Sequence, residues 1–464
     1  MKRLLSLLLI LSLILSLGIF AAAADDPEPP EEDEPAALVE AVYPTMAPRP
    51  NQEDYLKDNG WELDSAFFDA QQAWWTDLRT LRSQPAGYAD GLTPWFRGSI
   101  RQFLSDADGE NRVFSPLNLT MALAMLAEAT DGESRQQLLA LLGAGDLDDL
   151  RSAAGSLWLQ SYQDDGLTAS LLASSFWLNR GLSYEQSTLD KLARYYYASA
   201  FRGLMGSPEY DALLQSWINE QTGGLLEKQA SELHLDPLTV LALVTTLYFK
   251  APWADEFSSY FTREDVFHSP DGEEQVSFLH GSREMSWYWG EHFSAVGLYM
   301  GNGGAMWFLL PEEGLSPEEL LGDEEAMDFL LLPDKDAWEK QKSPLVHLTI
   351  PKFDVSSDLE LSDGLQALGL TDVFDSTLSD FSPLTTDLEE IYVSRVQHAA
   401  RVKIDEEGCE AAAYTVIEAP AEEALLEEPE REEVDFVLDR PFLFVVTNAG
   451  GLPLFAGVVN HPVE

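Results

Sequence analysis

A chain of 464 residues carries one cysteine, Cys409. An intrachain disulfide is therefore excluded, and so is a thiolate metal cage. A core of this size needs no disulfide to be stable. Basic residues are also scarce. There are 28 Lys and Arg against 80 Asp and Glu, a formal net charge of −52. Such a surface repels nucleic acid and anionic membranes and favours cationic partners. It also serves simply to keep a protein in solution. The seven histidines are scattered singly. There is no G-x-S-x-G elbow, no H-E-x-x-H, no phosphate loop and no G-x-G-x-x-G. With so many carboxylates, Asp-Asp and Glu-Glu neighbours arise by chance and carry no acid–base signal. Nothing assembles a nucleophile, a base and an orienting group, so neither an enzyme nor a cofactor or metal site is expected. After residue 20 no run of about 18 apolar residues occurs, so no membrane span is expected beyond the N-terminus.

What is present begins with MKRLLSLLLILSLILSLGIFAAAADD. Lys2 and Arg3, an apolar run over 4–20 and the small residues Ala21–Ala24 read as a secretory signal peptide over residues 1–24, placing the mature chain outside the cell. Its loss would take the net charge from −52 to −54. Residues 25–37, DDPEPPEEDEPAA, are acidic and proline-rich, and a disordered spacer is expected over 25–60. Helices are expected around 64–82, from a Thr93 cap followed by Pro94, after Ser115-Pro116, and after Asp131-Gly132. Strands dominate later. VLALVTTLYF (240–249) is a near-continuous apolar run, the mark of a strand buried on both faces. IYVSRVQHAARVKIDEEG (391–408) alternates over most of its length, and FVLDRPFLFVVTN with LPLFAGVVN closes the chain as a hairpin. Early helices and late strands predict an α+β fold with a large mixed sheet, in one compact domain.

Residues 405–424, DEEGCEAAAYTVIEAPAEEA, suit neither an ordinary helix face nor an ordinary loop. Written as a strand, one face holds Cys409, Ala411, Ala413, Thr415, Ile417, Ala419 and Ala421. The other holds Glu410, Ala412, Tyr414, Val416, Glu418, Pro420 and Glu422. Every charge falls on one face, and the opposite face is small or apolar throughout. The following AEEALLEEPEREE belongs in solvent. An edge strand or an Ala-rich helix start would also fit this periodicity. The other reading is an exposed loop whose first half makes a good central strand.

EEGCEAAAYT resembles the hinge of the serpin family, E-x-G-T-E-A-A-A-x-T. Further motifs follow at the family's spacing: NRVFSPLNLTMALAML (111–126), WINEQTGGLL (217–226), Phe249, Lys250, Trp253, Phe257, Thr262, Phe267 and His268 within 243–268, then IPKFDV, LGLTDVF, DRPFLFVV and LFAGVVN. The resemblance covers roughly residues 90–464, with the serpin domain placed at 93–464 and residues 61–92 left as a helical N-terminal extension. It implies three β-sheets, about nine helices and an exposed reactive-centre loop at about 408–434, in a monomeric secreted protein of prokaryotic type. A serine or cysteine protease would cleave the loop, which then inserts as a new central strand and traps the acyl-enzyme. A dozen new strand residues would add on the order of ten to twenty ladder hydrogen bonds at about 1 kcal/mol net each. A protease is held folded by only about 5–15 kcal/mol.

The resemblance assigns the hinge to Glu406, Glu407, Gly408, Cys409, Glu410, Ala411, Ala412, Ala413 and Thr415. Cys409 stands where the family has Thr or Ser: a small, buriable substitute, or a free thiol that gates insertion. His398, ten residues before Gly408, matches the family's sheet-opening histidine, with Ser115 and Asn118 in the same polar cluster. Asn118 and Gln215 depart from the family's usual residues there. Fourteen residues on from Gly408 the scissile bond falls at Glu422–Glu423, which implies a Glu-preferring protease. The 33 positions between Gly408 and Pro441 also allow Leu425 or Leu426, suited to chymotrypsin- or subtilisin-like enzymes. The alternative is a non-inhibitory serpin acting as a secreted binding protein; the small inward face favours the inhibitor.

Overall fold

The computed structural model of the protein describes residues 34–57, 62–222, 230–231, 233–301, 303–388, 390–409 and 432–462, and the backbone course of residues 9–19. Among the described residues, strands form sheets of nine, seven and four members. Ten α-helices surround them. The α+β expectation and the three sheets are thus met.

The large sheet positions everything that follows. Its main path runs Phe353–Glu360, Ile391–Ile404, Leu9–Ile19, Thr239–Pro252, Ala169–Asn179, Ala198–Gly203 and Ala36–Val39. Thr239–Pro252 is the apolar run expected to be buried on both faces, and its alternate residues divide between two cores. Leu241, Leu243, Leu247 and Phe249 join the main core. Ala242 and Val244 join a second cluster with Trp177, Tyr210 and Trp217, under the helix Pro208–Gln221. Every residue of the helix Pro116–Ala129 is buried. That requires the all-round apolar sequence LNLTMALAML in place of an amphipathic one. Ser115 caps it, its Oγ accepting from the Asn118 N–H at 3.2 Å, and Pro116 fills the first turn, where no amide partner is lost.

Two expectations need correction. Thr93 is not a cap: Asp90–Leu92 forms a 3-10 turn running straight into the helix Thr93–Leu104, so the cap position falls on Leu92. The spacer expected over 25–60 is not free over its described part, residues 34–57. Ala36–Val39 pairs antiparallel with Ala198–Gly203 at the edge of the large sheet. Tyr43 stacks on Trp158 at 5.4 Å between centroids and lies 6.2 Å from Tyr162. The Arg49 N–H donates to the Asp165 carbonyl at 2.9 Å, and its guanidinium sits 5.3 Å from the Trp74 ring in the helix Ser65–Leu81. Main-chain pairing at a sheet edge asks little of the side chains. One half-buried aromatic, Tyr43, then supplies the anchor. Averaged composition hides both.

The N-terminal apolar run also has a place in the large sheet. Leu9–Ile19 lies between Ile391–Ile404 and Thr239–Pro252 and is antiparallel to both.

Candidate functional site: the hinge and the slot in the large sheet

The chain leaves the large sheet at Ile404 and reverses through DEEG. The reversal is fixed by its own polar groups. The Asp405 carboxylate accepts from the amides of Glu407 at 3.0 Å and Gly408 at 3.3 Å. The Asp405 N–H donates to the Gly408 carbonyl at 3.1 Å. Trp253 clamps the turn from outside. Its indole N–H donates to the Asp405 carbonyl at 2.9 Å, and its backbone N–H to that of Glu407 at 3.0 Å.

Gly408 is required twice over. Its φ is +150°, and a Cβ there would lie 2.5 Å from the Ala251 carbonyl oxygen and 2.6 Å from Pro252 Cα. Only glycine meets both constraints. Gly408 and Cys409 then pair antiparallel with Pro252 and Ala251. Cys409 is 1% exposed. Burial, with the Asp405 charge as a second cause, holds its thiol well above the usual range, so it is inert where it sits.

Glu406 anchors the hinge to a neighbouring sheet. Its carboxylate accepts from Lys352 Nζ at 2.7 Å and Thr262 Oγ1 at 2.8 Å. Burial alone would raise its pKa, but these two donors outweigh burial and hold it below the ordinary value. Glu407 has no such partners. Burial, then the charges of Asp405 and Glu406, push its carboxyl up.

Beneath the same sheet Ser115, Asn118 and His398 come together. All three are completely buried. The Ser115 N–H donates to His398 Nε2 at 3.1 Å, which puts the neutral ring's proton on Nδ1. Burial drives the His398 pKa down to about 3, so the ring stays neutral. Asn118 Nδ2 donates to the Thr245 carbonyl at 3.3 Å, linking the helix Pro116–Ala129 to Thr239–Pro252, the strand that with Ile391–Ile404 borders the central slot taken by Leu9–Ile19. Gln215 does not join this cluster; its side chain donates to the Leu233 carbonyl at 2.9 Å. Glu410, Ala411, Ala412, Ala413, Thr415, Glu422, Glu423, Leu425 and Leu426 lie outside the described residues.

Lys352, Thr262 and Asp405 form the hinge's contacts, yet sequence reasoning gave none of them that role. The cue available for Lys352 and Thr262 was that both stand inside the quoted motifs. Among the described residues no cluster of three or more His, Cys, Asp or Glu could hold a metal ion.

A large central sheet flanked by two smaller ones, with the chain turning back at Gly408–Cys409 to pair with Thr239–Pro252, defines a three-sheet α+β class of protein. The serpin (serine protease inhibitor) family model matches residues 99–462. The chain belongs to the serpin family, whose members in general inhibit proteases and do not act as enzymes. It is 30% identical over 375 residues to Serpin-Z2B of Triticum aestivum, covering 76% of this chain and 90% of the relative. Among solved structures, the thermophilic serpin tengpin in its native state superposes with a TM-score of 0.68 at 23% identity, over 92% of this chain and 100% of tengpin. Arabidopsis AtSerpin1 in its native stressed conformation gives 0.66 at 25%, over 81% and 98%.

Proposed function

We propose that the mature chain, freed of residues 1–24 by secretion, is a monomeric suicide-substrate inhibitor of extracellular serine proteases, with cysteine proteases as secondary targets. The observation that carries this reading is the Gly408–Cys409 pair. It occupies two ladder positions on Thr239–Pro252, antiparallel to that strand. The residues next in sequence, Ala411, Ala413 and Thr415, are small at each position that would turn the same way as buried Cys409. Such a strand can enter without displacing packed side chains or burying a charge. A protease that acylates the loop would be carried along as the strand zips in.

The proposed scissile bond is Glu422–Glu423, with Leu425 or Leu426 as the alternative. The corresponding targets are a Glu-preferring or a chymotrypsin- or subtilisin-like enzyme. The strongly acidic body would favour cationic proteases by steering their approach. The test is to incubate the chain beginning at Asp25 with a panel of such proteases. A covalent complex that survives detergent, and a released peptide beginning at residue 423, 426 or 427, is the expected result. Cleavage of the loop by every protease with no complex would refute inhibition and leave a binding role.

A further inference from the structure

The slot between Ile391–Ile404 and Thr239–Pro252 holds Leu9–Ile19 in the register that a continuation of Gly408–Cys409 would take. Cys409 stands opposite Ala251, so continuation of that ladder sets position 411 opposite Phe249. Leu9 is the residue found opposite Phe249, and the pairing runs without a shift to Leu17 opposite Leu241. Residue 9 therefore holds the ladder place of 411, residue 13 that of 415, and residue 17 that of 419. On the other border Leu13 pairs with His398. The chain direction is the same as that of Gly408–Cys409, since both are antiparallel to Thr239–Pro252.

The sequences make the N-terminal segment a strong competitor. LILSLILSLGI contains no charge and no proline over residues 9–19, whereas the loop brings Glu418 and Pro420 into the same span. Proline cannot donate to the ladder, and Glu418, on the face opposite Cys409, brings a charge that the N-terminal run lacks. Ladder hydrogen bonds on both sides, which the loop gains only after cleavage, are already formed by the N-terminal strand.

We propose that Leu9–Leu17 is a surrogate central strand. In the uncleaved chain it fills the insertion slot, and its removal with the signal peptide arms the inhibitor. This rests on the inhibitor reading above. It adds a control: precursor that escapes processing has a completed sheet, and a protease that reaches its loop is a customer and not a captive.

The test compares the full chain with the chain beginning at Asp25, each challenged with a Glu-specific serine endopeptidase and with subtilisin. The chain from Asp25 should form the detergent-stable complex, and nicking its loop should raise Tm by about 20 °C, the scale expected for a newly completed sheet. The full chain should be nicked without complex, with Tm moving by less than about 3 °C. Leu13→Pro with Leu15→Pro in the full chain should restore trapping, because proline cannot donate to the ladder on either side. Hydrogen exchange reads the strand directly: amides 10–17 of the full chain should be protected. Equal trapping by both chains, or amides 10–17 exchanging as in a free peptide, overturns the proposal. Protected amides with trapping by neither chain would support the strand assignment and overturn the inhibitor reading instead.

Discussion

Because Cys409 is the chain's single thiol and lies inside the hinge, it can report how tightly the hinge is closed. The perturbation is Gly408→Ala. Placing a side chain at φ +150° costs on the order of 1–3 kcal/mol. The added Cβ also meets the Ala251 oxygen at 2.5 Å and Pro252 Cα at 2.6 Å. Both are backbone atoms of a strand within the sheet, so neither can swing aside. The hinge must lift instead, giving up the pairings of Gly408 with Pro252 and Cys409 with Ala251, at about 1 kcal/mol per hydrogen bond. Those pairings are given up on opening whichever residue stands at 408, so the strain alone shifts the opening equilibrium, by about 1–3 kcal/mol, or a factor of about 5–160. The assay is the rate of Cys409 modification by a chromogenic disulfide under native conditions. In the unaltered protein it should be slow, because the thiol is buried and its pKa is raised, and the thiolate is the reacting species. Gly408→Ala should accelerate it about a hundredfold with unchanged circular dichroism. Equal rates would show that the hinge is not held shut by this glycine, and the register on which the slot is built would fall with it.

Three further outcomes follow from the same contacts. Replacing Glu406 by Gln or Lys352 by Met should each destabilise the fold by roughly 1–3 kcal/mol, with a double-mutant cycle showing coupling, since the pair meets at 2.7 Å in a partly buried setting; additive losses would refute the latch. The Glu406 carboxyl is held below its ordinary value, so its contribution is present above the unfolded pKa and is lost as pH falls through the folded one. His398 is pushed down to about 3, so the unfolded chain takes up its proton first as pH falls below about 6.5. The stability difference between the protein and His398→Phe should therefore shrink by about 1.4 kcal/mol per pH unit from there toward pH 4, read from urea midpoints; a pH-independent difference would mean the ring is solvated. Tyr43→Ala should cost about 2–3 kcal/mol through loss of its stack on Trp158; an unchanged melting temperature would return residues 34–57 to the status of a spacer.

The parts of the structure legible from sequence are those where one residue type is demanded by local geometry. Thr239–Pro252 shows its double burial because two separate cores each take alternate residues, leaving no place for a polar face. Gly408 shows itself because nothing else fits between the turn and Ala251. The Ser115 cap is readable from a serine before a proline at the head of an apolar run. Other contacts leave no such trace. Glu406 and Lys352 are 54 residues apart, and among 80 acidic residues nothing in the sequence marks which one a given lysine will meet. The strand Ala36–Val39 joins the sheet through backbone groups that every sequence possesses. Sequence periodicity sees side chains, so an element held mainly by main-chain bonds escapes it until an anchor such as Tyr43 is seen in place.

The same distinction bears on the slot. Its borders offer backbone donors and acceptors that will pair with any extended segment of suitable length, and the N-terminal run and the reactive loop both qualify. What separates them is side-chain content. The N-terminal run has leucine at 9, 11, 13, 15 and 17, where the loop has Ala411, Ala413, Thr415, Ile417 and Ala419. Leucine in general offers more apolar area to bury, on the order of 1.5–3 kcal/mol per fully enclosed side chain. Small residues make the faster entrant, because they thread past the neighbouring strands without forcing rotamer changes. On the proposed mechanism, a slot filled once and quickly by a cleaved loop needs the second composition in the loop and the first composition removed beforehand.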